Sequence, residues 1–337
     1  MESTPLPLNA TAFEHLVDRH GREIRIHCYR MLGSIQDAED AAQEALLRAW
    51  RGRDAFEGRA SARTWLYRIA THVCLRVLER RAIARRVVPE FVGANVPFAA
   101  LADPDHDTPW LEPLPDAVSR DPPDLSPGPE ASAEALDAVR LAFVIAIQAL
   151  PPRQRAVLLL RDVVGLSAAE TAAAIDSSTA ATNSALQRAR ARLNADFPDG
   201  PPQGPPVLDD EGRRLLARYV ETWEAGDVAG FVALLARDAI WAMPPWREWF
   251  VGREPIADFL AWAWRHVGDR RRLLQTVANG QPAFAYYRQA RNGGELEAFA
   301  IQVLDVEDGA IRRITNFVEP RLFSAFGLPL RLAPAGR

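Results

Sequence analysis

Lysine is absent: all 40 basic residues of the 337-residue chain are arginine. Abundant alanine and proline point to a GC-rich coding bias as the cause, and every cation therefore carries the planar fork that pairs bidentately with phosphate or carboxylate. Only two cysteines occur, Cys28 and Cys74, too few for a disulfide framework or a cysteine-based zinc site. His27 beside Cys28 and His72 near Cys74 do not add up to a metal site, because helix neighbours project in different directions. Neither metal nor cofactor is expected. No apolar run reaches the roughly 18 residues of a membrane span, and the opening MESTPLPLNA lacks a signal-peptide pattern. A cytoplasmic protein with no membrane partner is the expectation. The net charge of −4 is small, so the informative charges are local ones.

Those local charges concentrate in residues 35–81. Ser34 is a plausible N-cap, and Asp37, Asp40 and Glu44 then recur at helical spacing, sharing one face. A turn-like insert follows, Phe56-Glu57-Gly58-Arg59-Ala60-Ser61. The next helix, about 62–86, carries Trp65, Tyr67 and arginines at 63, 68, 76, 80, 81, 85 and 86. An acidic helix beside an arginine-and-aromatic one suits two partners: a basic protein surface, and phosphates with an unstacked base. An amphipathic hairpin with solvated charges is the plainer alternative.

Residues 87–133 combine ten prolines and nine acidic residues with a single arginine, Arg120. Such a composition reads as a linker. Within it, Thr108-Pro109-Trp110-Leu111-Glu112-Pro113-Leu114-Pro115-Asp116 offers a Trp-Leu pair that can anchor in a groove or staple onto a neighbouring domain. Residues 134–196 read as all-helical. Pro151-Pro152 breaks the first helix, Gly165 ends the second, and Ser167 with Glu170 forms a capping box. Asp176-Ser177-Ser178 turns the chain into a last helix from Thr179, ending in Arg188, Arg190 and Arg192: a helix-turn-helix pattern. The i, i+1, i+4, i+5 spacing places Thr179, Ala180, Asn183 and Ser184 at its groove-facing end. Asn183 can pair with adenine, Ala180 or the Thr179 methyl can touch a thymine methyl, and Gln187 and Arg188 suit phosphate.

A proline- and glycine-rich hinge at 197–207 leads into residues 208–327, where amphipathic helices at 209–225, 228–236 and 255–265 surround strands at 239–243, 271–278, 283–290, 295–306 and 310–319. Asn292-Gly293-Gly294 and Asp308-Gly309 are hairpin turns. Helices followed by a curved antiparallel sheet indicate an α+β domain. Trp241, Met243, Trp249, Phe259, Tyr286 and Phe299 can line an apolar pocket or form an ordinary core. Candidate general bases are few: Asp238, His266, Glu295, Asp305 and Glu307 sit at element ends, so no catalysis is expected.

HCYRMLGS (27–34), DAEDAAQEALLRAW (37–50) and RTWLYRIATHVCL (63–75) closely resemble region 2 of sigma-70-type initiation factors of the extracytoplasmic-function group. LPPRQRAVLLLRDVVGLSAAETAAAI and NSALQRARARL resemble their region 4. The C-terminal pattern, with AIWAMPPWREWFVGREPIADFL and IRRITNFVEP, resembles the SnoaL-like members of the cone-shaped NTF2 superfamily. The resemblance implies two all-α domains, region 2 over 9–86 and region 4 over 134–196, joined by the 87–133 linker and followed by an α+β cone. It implies an alternative sigma factor binding core RNA polymerase through the β′ coiled coil and the β flap, with promoter DNA as second partner. Asp37, Asp40, Gln43 and Glu44 fall on the polymerase-facing segment. Phe56, Arg59, Ser61, Arg63, Trp65, Tyr67, His72 and Arg76 fall on the −10-reading segment, where His72 replaces a common asparagine. Thr179, Ala180, Asn183, Ser184, Gln187 and Arg188 fall on the −35 reader, and Asp176 replaces a frequent glycine at its turn. The Trp110-Leu111 patch is similar to one found in members that also carry an extra C-terminal domain. An anti-sigma factor or a small ligand is left open as a further partner. A stand-alone helix-turn-helix regulator and a ligand-binding or enzymatic NTF2-like protein with a DNA-binding half are the alternatives.

Overall fold

The computed structural model describes residues 9–56, 58, 60–80, 86–93, 95, 98, 101–119, 140–196, 209–266, 270–290 and 294–333. Arg59, Arg81, Arg85, residues 120–139, the 197–207 hinge and Asn292-Gly293 lie outside them. The chain forms two compact units that alternate in sequence: Met1–Arg86 with Val118–Gln203, and Val87–Ala117 with Gly204–Arg337.

In the first unit, α1 (Ala10–Leu32), α2 (Ile35–Gly52) and α3 (Ala62–Arg80) pack together. Asn9 caps α1, accepting from the Ala12 amide at 2.8 Å, and Ser34 caps α2 through the Asp37 amide. The buried stripe of α2 is almost all alanine (Ala38, Ala41, Ala42, Ala45, Ala49). Small side chains let the larger groups of α1 and α3 fill the space: Ile24, Cys28, Tyr29 and Met31 from one, Leu66, Val73 and Cys74 from the other. Both cysteines are free and buried, and burial, with Cys28 alongside, pushes the Cys74 thiol up.

The same unit continues with α4 (Leu141–Gln148) and α5 (Pro152–Leu158), which runs on through a π-helical turn at Leu159–Val163. Pro152 opens α5 from its first turn, where no amide is needed. Then come α6 (Ala168–Ala174), begun by the expected Ser167–Glu170 capping box, and α7 (Thr179–Asp196). Asp176 takes the left-handed conformation between them at φ 49°, which aspartate tolerates. Contacts of α6 with α3 and of α5 with α1 and α3 join this half to the first three helices.

The second unit holds α8 (Asp210–Ala225), α9 (Val228–Ala233) and α10 (Arg253–His266) against one sheet. Its strands are β1 (Leu235–Ala242), β2 (Trp249–Val251), β3 (Arg271–Ala278), β4 (Gln281–Gln289), β5 (Leu296–Glu307), β6 (Ala310–Phe317) and β7 (Arg331–Leu332). They run in the order β2-β1-β6-β5-β4-β3, with β7 on β5. The sheet is mixed, not wholly antiparallel as expected, because β1 pairs parallel with β6 (Trp241 opposite Ile314). The helix α10 and strands β2 to β5 separate β1 from β6 in sequence, so no hairpin dictates their relative direction. Asp308-Gly309 makes its expected turn, and Asn279-Gly280 makes another, all four residues at positive φ.

Residues 87–117 form a strap within this second unit rather than a free linker. Its apolar side chains Val87, Val88, Leu111 and Leu114 are buried. Its carboxylates find arginines: Glu90 pairs with Arg313, Asp105 with Arg247 and Glu112 with Arg321. The Leu114 amide and carbonyl both bond Asn279, each at 2.8 Å, and the Gly280 amide donates to Asp116. Composition undervalued the segment because a strap needs few apolar residues when each lands in a prepared site.

Burial drives the His27 imidazole down to about 3, with the neighbouring Arg30 charge adding to it. It is neutral in the folded chain, hydrogen-bonded to Thr71 Oγ1 at 2.9 Å. Unfolded, it takes up a proton near pH 6.5, so stability is full above that pH and falls as pH drops toward 3. At pH 5 the His27 contribution amounts to about 2 kcal/mol. Urea unfolding of the first unit should show this loss between pH 7 and 5, and His27→Gln should flatten the dependence.

Candidate nucleic-acid interface

The face of α2 that points away from its alanine stripe carries the acids. Asp40 and Gln43 are exposed, and Gln36 donates to Asp40 at 3.1 Å. Glu44 is half-buried and holds Arg48 at 2.6 Å. Asp37 differs: its side chain is only 12% exposed and pairs with Arg86 at 2.7 Å. Together Asp37, Asp40 and Glu44 line one wall of a cleft of about 360 Å³ whose other wall is Arg76 and Arg80 of α3. Leu47, 50% exposed, lies one turn beyond Gln43. Its apolar side chain is left uncovered beside the exposed acids. The sequence reading missed it by treating this helix in terms of charge.

Between α2 and α3, Phe56 and Trp65 meet with ring centroids 5.1 Å apart, both half-buried. Ser61 is exposed, and its hydroxyl caps α3 by accepting from the Thr64 amide at 3.0 Å. Arg76 is exposed and His72 half-buried. Arg63 is engaged, donating to Glu23 at 2.8 Å and to the Val164 carbonyl at 3.2 Å. Burial opposes the Glu23 charge, but hydrogen bonds from His20, Arg63 and Tyr67 outweigh it and hold the carboxyl below its usual range. Tyr67, expected at the DNA surface, is instead buried at 3% exposure. Its hydroxyl donates to Glu23, and its ring meets His27 edge-on. The correction has a simple cause: the inward face of α3 runs through Leu66, Tyr67, Ala70 and Cys74, one position away from Trp65.

On α7, Thr182, Leu186, Ala189 and Leu193 face inward. Thr179, Ala180, Asn183, Ser184, Gln187 and Arg188 are all exposed, as their shared helical face requires. Arg190 is held by Asp162 through two bonds of 2.9 and 2.7 Å. The turn before α7 touches α3: Asp176 lies 3.2 Å from Arg68 and 3.5 Å from His72 Nε2. Burial lowers the His72 pKa, against the pull of Asp176.

Arg155 went unnoticed in the sequence, yet it is wholly buried. Its guanidinium donates to the carbonyls of Met31, Ile147, Gln148 and Leu150 and to Gln148 Oε1. Gln148 in turn donates to the Arg30 carbonyl at 2.9 Å. Burial brings the Arg155 pKa down to about 9, so the group remains charged at neutral pH.

In the second unit, Trp241, Met243, Phe259 and Tyr286 are buried in one core, while Trp249 and Phe299 are half-buried. Of the two readings, pocket or ordinary core, the packed rings make the core. Asp238 and Glu307 pair with Arg312, Glu295 with Arg331, and His266 bonds the Trp262 carbonyl. Among the described residues of this unit the buried carboxylates are Glu112 and Asp116, both on the strap.

Three family descriptions match successive parts of the chain: Sigma-70 region 2 over residues 16–83, Sigma-70 region 4 over 140–193 and a SnoaL-like domain over 216–314. The ECF RNA polymerase sigma factor SigG of Mycobacterium tuberculosis (strain H37Rv) is 43% identical over 324 residues, covering 94% of this chain and 84% of SigG. The chain belongs to the ECF sigma factor family. The ECF sigma factor SigJ of the same strain is 26% identical over 321 residues, covering 92% and 93% of the two chains. The SigJ crystal structure matches the fold at a TM-score of 0.61 and 20% identity, over 94% of this chain and 99% of that one. Region 2 is thus the α1–α3 half of the first unit, region 4 the α4–α7 half, and the SnoaL-like domain lies in the second unit.

Arg155 supplies a direct test of how the two sigma regions are joined. Arg155→Met strands several buried carbonyls and is expected to cost roughly 3 kcal/mol in urea unfolding. Arg153→Met, on the exposed side of the same helix, should stay within about 0.5 kcal/mol.

Proposed function

We propose that this sigma factor binds core RNA polymerase through the α2 face of Asp40, Gln43, Glu44 and Leu47, and reads promoters with α3 and α7. The observation that supports this most directly is the exposure of all six polar or small residues on one face of α7, in a chain of this family. Asn183 is the adenine reader, and Arg188 holds phosphate. Region 2 supplies Phe56, Arg59, Ser61, Trp65, His72 and Arg76 to the −10 element. The Phe56–Trp65 ring pair is a stacking platform for a base that has left the duplex. Asp37 and Arg63 act within the fold, orienting their neighbours rather than touching a partner. The factor carries no reaction of its own: promoter opening draws on binding energy and on trapping unstacked bases. The second unit regulates this activity through the strap that it holds.

The arrangement described is a closed one. Elements named −10 and −35 are separated by roughly 25 base pairs, on the order of 85 Å of B-form duplex. Here the turn that opens α7 touches α3, with Asp176 neutralising Arg68. Regions 2 and 4 therefore separate on promoter DNA, freeing Arg68 and His72.

Run-off transcription and polymerase pull-down with the full chain test the division of labour. Asp40→Ala with Glu44→Ala should weaken core polymerase binding about tenfold while leaving α3 intact. Trp65→Ala should lower permanganate-detected strand opening about tenfold with polymerase binding changed less than twofold. Equal losses for both variants in both assays exclude the proposed roles, and transcription-independent operator binding by the wild type favours a stand-alone regulator.

A further inference from the structure

Arginines gather at one end of the cone, where α10 runs out and β3 begins. Register puts several side by side: Arg271 of β3 lies opposite Arg288 of β4, Arg288 opposite Glu297 of β5, and Glu297 opposite Arg331 of β7. Directly paired residues share a sheet face, so this row forms one band. Arg270 joins it through its carbonyl, which accepts from the Gln289 amide at 3.0 Å. Arg265 joins it through its neighbour Trp264, whose carbonyl accepts from Arg271 at 2.9 Å. Arg265, Arg270 and Arg272 are exposed.

Neutralisation of this edge is incomplete. Glu224 holds Arg272 at 3.2 Å, Glu297 holds Arg288 at 3.4 Å and Glu295 holds Arg331 at 3.5 Å. Arg265, Arg270 and Arg271 pair with no carboxylate among the described residues. Their bonds go to carbonyls instead: Arg265 to Ala261 at 2.8 Å, Arg270 to Gly294 at 3.3 Å and Arg271 to Trp264. Part of this is helix chemistry, because α10 ends here and cations suit a helix C-terminus. Arg270 lies beyond that helix, and the Arg265 bond uses one of the five donors of its guanidinium. Three positive charges unmatched by carboxylates thus stand together on a chain whose net charge is −4.

We infer that this arginine edge is a further DNA-contacting surface of the factor, binding the phosphate backbone of duplex DNA without reading its bases. A duplex carries one phosphate charge per roughly 1.7 Å of axis, which suits a band of cations rather than a pocket. The guanidinium fork also takes phosphate oxygens two at a time. Such a partner stays within reach. Helix α7 ends at Asp196 and α8 begins at Asp210, an interval that spans at most about 50 Å when fully extended. With α7 on a promoter, the tether holds the edge at high effective concentration around the same duplex. Delivery to DNA in this way rests on α7 being the promoter reader, as proposed above.

The test is promoter binding by the full chain with core polymerase, measured as a function of salt. Each phosphate contact adds about 0.9 to the slope of log affinity against log salt concentration. Arg265→Gln with Arg270→Gln should lower that slope by about 1.8 and weaken binding about tenfold near 0.1 M salt, equally on strong and weak promoters. Arg265→Lys with Arg270→Lys should keep the slope, since the charge remains. Glu224→Gln, which releases Arg272, should raise the slope by about 0.9. An unchanged slope in the glutamine variant, or a lysine variant as weak as the glutamine one, overturns the inference. So does a loss confined to polymerase binding in a DNA-free pull-down, which assigns the edge to an acidic protein surface. The reading of α7 fails separately, if Asn183→Ala with Arg188→Ala leaves promoter binding intact while the slope change at the cone persists.

Discussion

The carbonyls at the C-terminal end of α1 decide how the first unit holds together. A helix leaves its last carbonyls without intrahelical donors, and the partial negative charge there favours a cation. The Gly33 amide takes the Tyr29 carbonyl. Gln148 and Arg155, more than a hundred residues later, take those of Arg30 and Met31. Region 4 is therefore joined to region 2 by completing a helix terminus, not merely by apolar area. An arginine can be buried here because carbonyls meet it on several sides, and it keeps its charge at neutral pH. The contacts of α6 on α3 and of Asp176 with Arg68 follow from that placement.

The strap solves a different problem with similar chemistry. Its carboxylates are dispersed among prolines, whose rings fix φ and so reduce the freedom of the chain to be ordered. Glu90, Asp105, Glu112 and Asp116 each meet an arginine or a backbone amide of the second unit. Proline also removes amides that would otherwise need partners when the segment is covered. An acidic, proline-rich composition is thus compatible with burial once the receiving surface is rich in donors.

Local signals were readable because they act over three or four residues. The Ser34 cap, the Ser167–Glu170 box, the Asp308-Gly309 turn and the exposed face of α7 all follow from neighbours in sequence. Long-range choices were not. Trp65 and Tyr67 are alike as residues, and only the packing of α1 sends one toward the Phe56 loop and the other to Glu23. Arg153 and Arg155 flank a single glutamine, yet one is solvated and the other wholly enclosed. The docking of the strap depends on Asn279, a hairpin residue 165 positions from Leu114. The aromatic set of the cone was legible as apolar, with pocket and core both open; what was not legible is that Phe98 packs against it, from a stretch whose composition argued against packing.

The interleaving of the two units along the chain gives synthesis an order. The strap leaves the ribosome before its receiving hairpin exists, and 165 residues separate Leu114 from Asn279. At about 5–20 residues per second that interval is roughly 8–30 s. During it Leu111 and Leu114 have no groove to occupy, whereas Arg155 emerges early enough to find α1. The newborn factor thus passes through a stage in which its two sigma regions are already joined while the restraint on the segment between them has yet to be made.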